Sequence, residues 1–144
     1  MGHSESLEIT SAISELERVF AFIDQYCGRA GIPDQVKYKI LLIAEELTMN
    51  SIGHGYRGRA DGRIGIALSK PHDDVELCFE DESPAYDPLA EAPEPSIDAP
   101  LEERRIGGLG IHLLKTLARR AAYSHIDGRN IIRVTLATAG VNAE

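Results

Sequence analysis

Leu7-Glu8-Ile9-Thr10 alternates apolar and polar residues, the period of a short strand with one buried face. From residue 13 the period changes. Ile13, Leu16, Phe20 and Ile23 recur at helical spacing with Val19 beside them, and Gly28 and Gly31 close the segment. Ser11 or Ser14 can cap this helix; Ser14 stands three residues before Glu17, the spacing of a capping box. A second helix opens at Pro33-Asp34, where a missing N–H is harmless and a negative charge is favourable. Val36, Ile40, Ile43 and Leu47 carry its apolar stripe to about Ile52, and Gly53, Gly55 and Gly58 break it.

Alternation then returns. Arg63 to Leu68 and Val75 to Asp81 predict two strands, and the turn Pro71-His72-Asp73-Asp74 between them favours a hairpin. From Ser83 to Arg105 periodicity is lost and five of the seven prolines gather, the composition of a lid or binding segment. After Gly107-Gly108-Leu109-Gly110 the spacing of Ile111, Leu114, Leu117 and Ala118 predicts a third helix. Ala122 to Ile126 reads as extended, Asp127-Gly128-Arg129-Asn130 as a turn, and Ile131 to Leu136 as a last strand. Strand, two helices, two strands, lid, helix and two strands predict an α/β two-layer sandwich. Its sheet would be mixed and mainly antiparallel, covered on one face by three helices. One domain over residues 1–144 is expected, with a lid at about 83–106.

Composition narrows the function classes. At 144 residues the chain is the size of one core. A net charge of −8 argues against general affinity for nucleic acid or an anionic membrane surface. No run of about 18 apolar residues is present, and the first ten residues lack the apolar core of a signal peptide. Cys27 and Cys78 are isolated, without metal-ligand spacing. A cytoplasmic protein with two reduced thiols is the expectation.

Three features hold candidate chemistry. Glu46, Asn50 and His54 stand at i, i+4, i+8 and form one polar row beside the apolar stripe of the second helix. An amide oxygen there can hold a Mg²⁺ ion that borrows phosphate oxygens, and a carboxylate one turn away can accept a proton from an attacking hydroxyl. The same row is equally a polar helix margin, with Glu46 solvated, Asn50 bonded to a loop and His54 capping or packing. The second feature is Phe79-Glu80-Asp81-Glu82-Ser83, where an acidic strand end runs into the loop. The third is Ile106-Gly107-Gly108-Leu109-Gly110-Ile111, whose glycines let phosphate oxygens approach free helical N–H groups, or simply make a turn. It is neither GxxxxGK[ST] nor GxGxxG.

Together these residues resemble a known family. EELTMNSIGHGY resembles the asparagine motif of the Bergerat-fold, histidine-kinase-like ATPases, and within them that of the small bacterial anti-sigma factor serine kinases, Glu-x-x-x-Asn-x-x-x-His. FEDESPAYDP resembles the next motif, with Asp81 at its Asp and Tyr86-Asp87-Pro88 at its Phe-Asp-Pro; RRIGGLGIHLLKTLA resembles the glycine box. The resemblance covers about residues 7–137 with the boxes in order. It implies that Asn50 coordinates Mg²⁺ on ATP, Glu46 is the general base toward a substrate serine, and Asp81 accepts from the adenine amino group. It also implies that His54, Ser83, Arg105, Gly107, Gly108 and Gly110 lie around the nucleotide. The implied partners are a sigma factor and a serine-bearing anti-sigma factor antagonist, with a homodimer through the N-terminal strand and helix. No direct contact with nucleic acid or membrane is expected. One residue departs from the pattern: the glycine that follows the adenine-binding Asp is Ser83 here. A nucleotide-gated regulator with little or no kinase activity is the alternative expectation.

Overall fold

The computed structural model describes residues 3–91, 112, 114–116 and 118–138. Strand β1 (His3–Thr10) leads through a 3-10 turn, Ile13–Glu15, into α1 (Leu16–Ala30). The capping box expected at Ser14 and Glu17 is not made, because the 3-10 turn displaces the helix start to Leu16. Glu15 holds the junction instead, accepting from the Thr10 N–H at 3.2 Å and pairing with Arg18 at 2.9 Å. Helix α2 (Asp34–Asn50) starts after Pro33, whose carbonyl accepts from the N–H groups of Val36 and Lys37.

Strands β2 (Arg63–Lys70) and β3 (Asp74–Asp81) form the expected hairpin, and a single helical turn, α3 (Pro88–Glu91), follows. Residues 112 and 114–116 are helical, and Leu114 is buried in the core. Strands β4 (Arg120–Ile126) and β5 (Arg129–Ala137) complete a five-stranded sheet in the order β1-β2-β3-β5-β4. All four pairings are antiparallel, so the sheet expected to be mainly antiparallel is antiparallel throughout its described strands.

Burial alternates along β3: Val75, Leu77, Phe79 and Asp81 are buried, while Glu76, Cys78 and Glu80 are half-exposed. Ile64, Ile66 and Leu68 of β2 and Ile132, Val134 and Leu136 of β5 join the buried set, meeting Val19, Ile23, Ile40, Ile43 and Leu47 of α1 and α2. That core fixes the face of α2 that lies against the sheet. The opposite sheet face is laced by charge. Arg63 reaches Glu8 and Glu80 at 3.3 Å each, and Arg129 reaches Glu80 at 3.4 Å. Among the described residues no helix is long and apolar enough to cross a membrane.

Candidate nucleotide site

Helix α2 does not stop at Asn50. It widens into a π-helical turn, Ser51–Gly55, in which the Tyr56 N–H donates to the Ser51 carbonyl five residues back at 2.8 Å. Such turns are frequent at functional sites. This one ends the regular row of Glu46, Asn50 and His54. His54 is exposed and stacks on Tyr86 with centroids 5.8 Å apart and planes 24° apart. Tyr56 then props the ends of β2 and β3. Its hydroxyl donates to the Arg63 carbonyl at 2.6 Å and accepts from the Glu82 N–H at 2.7 Å, and burial pushes its pKa up.

A cavity of about 20 Å³ lies where the π-helical turn meets the ends of β3 and β5. Leu47, Asn50, Ser51 and Gly55 line it from the helical side; Phe79, Asp81, Ser83, Tyr86 and Pro88 from β3 and the loop beyond; Asn130 and Ile132 from β5. Asp81 is 5% exposed, and both of its carboxylate oxygens accept hydrogen bonds. Its Oδ2 accepts from the Ser51 hydroxyl at 2.6 Å, and its Oδ1 from Asn130 Nδ2 at 2.9 Å and from Ser83 Oγ and N–H at 3.0 and 3.1 Å. The Asn50 amide, by contrast, has a buried Nδ2 with no hydrogen-bond partner among the described residues. That unspent N–H donor beside a cavity is free to meet an acceptor on a ligand; the other amide atom, the oxygen, is the one that could ligate a cation. Among the described residues no three His, Cys, Asp or Glu side chains converge as a metal cage.

The sequence-predicted residues thus divide. Asn50, Asp81 and Ser83 meet at one cavity, and His54 reaches it through Tyr86. Glu46 is half-buried one turn before Asn50 and does not line the cavity itself. Glu45 is exposed and lies on a separate groove between α1 and α2, beside Phe20 and Tyr38. Arg105, Gly107, Gly108 and Gly110, with most of the expected lid, lie outside the described residues. Ser51, Asn130 and Tyr123 were not singled out by the sequence. Asn130 sits opposite Asp81 in the β3–β5 register, and its Oδ1 accepts from the Tyr86 N–H at 3.1 Å and from the Tyr123 hydroxyl.

A family model described as the histidine kinase-like ATPase domain matches residues 9–136. The chain belongs to that family. The match runs from Ile9 in β1 to Leu136 in β5, so this histidine kinase-like domain includes every residue of the cavity. Serine/threonine-protein kinase BtrW of Bordetella bronchiseptica is 26% identical over 126 residues, covering 88% of this chain and 83% of the relative. Serine-protein kinase RsbW of Listeria innocua is 25% identical over 108 residues, covering 73% and 69%. A crystal structure of the RsbU and RsbW domains of Rv1364c from Mycobacterium tuberculosis superposes with a TM-score of 0.62 at 15% identity. That match covers 94% of this chain and 32% of the other, and it shows the same fold.

Proposed function

We propose that this histidine kinase-like domain is a cytoplasmic, ATP-dependent serine-protein kinase of the anti-sigma type. It would phosphorylate a serine of an antagonist protein and sequester a sigma factor. One observation carries the reading. A single cavity joins the buried carboxylate of Asp81 to the unspent amide of Asn50, and Glu46 stands one helical turn away. The kinase names of two relatives support it.

In this reading Asp81 accepts from the adenine amino group. The Asn50 amide oxygen would be the protein's ligand to Mg²⁺, which when bound would neutralise phosphate charge. Glu46 takes the proton as the serine oxygen bonds to the γ-phosphorus. The bond from that phosphorus to the β,γ-bridging oxygen breaks, and ADP leaves. The roles toward the phosphates that the resemblance implies for Arg105, Gly107, Gly108 and Gly110 fall on residues outside those described. Among the described strands β1 is an edge paired with β2 alone, and the proposed homodimer would use that edge together with α1.

Incubation with labelled ATP and the antagonist encoded beside the gene tests the reading. Glu46→Gln should retain ATP binding and lose about 10²-fold or more in transfer, the usual contribution of a general base. Glu45→Gln, on its separate groove, should be nearly silent. Equal rates for both variants and wild type would remove Glu46 from the role.

The closed state of the cavity favours a second reading, a nucleotide-gated regulator that binds partners with little or no phosphoryl transfer. About 20 Å³ holds one water, not a purine, so occupancy requires side chains and the loop after β3 to move. No phosphoserine under conditions where calorimetry shows ATP bound would select it.

A further inference from the structure

We infer that Ser83 and Asn130 act as a built-in competitor for the carboxylate of Asp81, and so set both the affinity and the base selectivity of the nucleotide site. This rests on the nucleotide reading above.

An ionised carboxylate offers about four acceptor positions. Oδ1 of Asp81 already takes three donors, from Asn130 Nδ2, Ser83 Oγ and Ser83 N–H, and Oδ2 takes the Ser51 hydroxyl. Oδ1 is thus crowded while Oδ2 carries a single donor, so a purine amino group that approaches Oδ1 must displace one of the chain's own donors. The two expendable ones are side chains. Ser83 is 3% exposed and Asn130 5%, so both stand inside the pocket.

Asn130 is more than a donor to Asp81. Its Nδ2 also lies 3.0 Å from the Ser83 carbonyl and 3.1 Å from the Pro84 carbonyl. Its Oδ1 accepts from the Tyr86 N–H and the Tyr123 hydroxyl. One carboxamide thus ties Asp81 to the root of the loop that leaves β3, where Tyr86 and Pro88 wall the cavity. Ser83 fills the remaining space. Its Oγ lies 2.5 Å from the ideal position of a Cβ on Gly55, too close for one to be added without a shift. A base that takes Asp81 loosens Nδ2 from it and moves the Ser83 hydroxyl aside. A base without an amino group at that edge has nothing to offer Asp81 in exchange.

Calorimetric titration separates these effects. The ligands are ATP, purine-riboside triphosphate (the same nucleotide with hydrogen in place of the 6-amino group) and inorganic triphosphate. The proteins are wild type, Ser83→Ala and Asn130→Ser, each checked for cooperative melting. Ser83→Ala should bind ATP about fivefold to tenfold more tightly than wild type, the worth of about one hydrogen bond. Its affinity for purine-riboside triphosphate and for inorganic triphosphate should be unchanged. Asn130→Ser should shift in the same direction and provides a second route if Ser83→Ala melts poorly. Equal tightening toward all three ligands would mean general loosening and would overturn the inference. So would unchanged or weaker ATP binding by both variants while wild type binds ATP; the nucleotide reading would then stand alone. If no protein binds ATP at millimolar concentration, the nucleotide reading falls and takes this inference with it.

Discussion

A Cβ placed on Gly55 would stand 2.5 Å from the Ser83 Oγ and 2.9 Å from its Cβ, closer than any relaxed contact. The two positions share one space: Gly55 yields the volume that Ser83 fills. Ser83 also keeps a negative φ, since Arg57 and Asp127 are the non-glycine residues with positive φ among those described. Serine in place of the family's glycine thus carries no backbone strain here. Gly55→Ala should destabilise by about 1–3 kcal/mol through overpacking. Adding Ser83→Gly should recover a good part of that loss. Urea unfolding of both single variants and the double variant checks it; strictly additive costs would mean that the two residues do not share the space. At this scale the sequence was half legible. Asn50 and Asp81, which line the cavity, could be named from the motifs. Ser51 and Asn130 could not, because their roles depend on contacts with Asp81 across 30 and 49 residues. No local pattern encodes such a pairing.

Elements were legible where one face is buried. The hairpin of β2 and β3 and the stripe of α2 follow directly from their periods. Two misreadings share a cause, glycines taken as longer interruptions than they make. Gly53 and Gly55 do not end the helical path but lie in its π-helical turn. The turn expected over Asp127–Asn130 occupies Asp127 and Gly128 alone, with φ of 54° and 77°, the two positive values of a tight hairpin. Arg129 and Asn130 therefore belong to β5, which is what brings Asn130 opposite Asp81. The start of β1 at His3 was missed because Ser4, Glu5 and Ser6 break apolar alternation on an edge strand. Gly128→Ala should lower stability by about 1 kcal/mol. A Cβ there meets nothing within 4 Å, so the left-handed backbone alone sets the penalty. A thermal melt checks this, and an unchanged midpoint would show that the turn relaxes to another type.

Across the whole molecule, the core has a pH limit. Cys27 on α1 is 1% exposed, and burial pushes its thiol from 9.0 up to about 11. Burial also raises the Tyr26 phenol beside it. A folded-state pKa above the unfolded value gives stability that is complete below pH 9 and is lost as pH rises toward 11. The loss from Cys27 should be on the order of 2 kcal/mol. Unfolding measured between pH 8 and 10.5 should fall more steeply in wild type than in Cys27→Ala. Parallel curves would mean that the thiol already titrates normally in the fold.

The sheet order also governs when the site comes into being. Strand β5 comes last among the described strands in sequence, yet it pairs with β3 on one side and β4 on the other. During synthesis from the N-terminus, β3 must wait as a temporary edge until residues 129–137 have emerged. Asp81 has until then no Asn130 to hold it. Ligand retention by ribosome-bound chains of increasing length would time the closure of that gap, with the binding site assembled by the final stretch of the sheet to leave the exit tunnel.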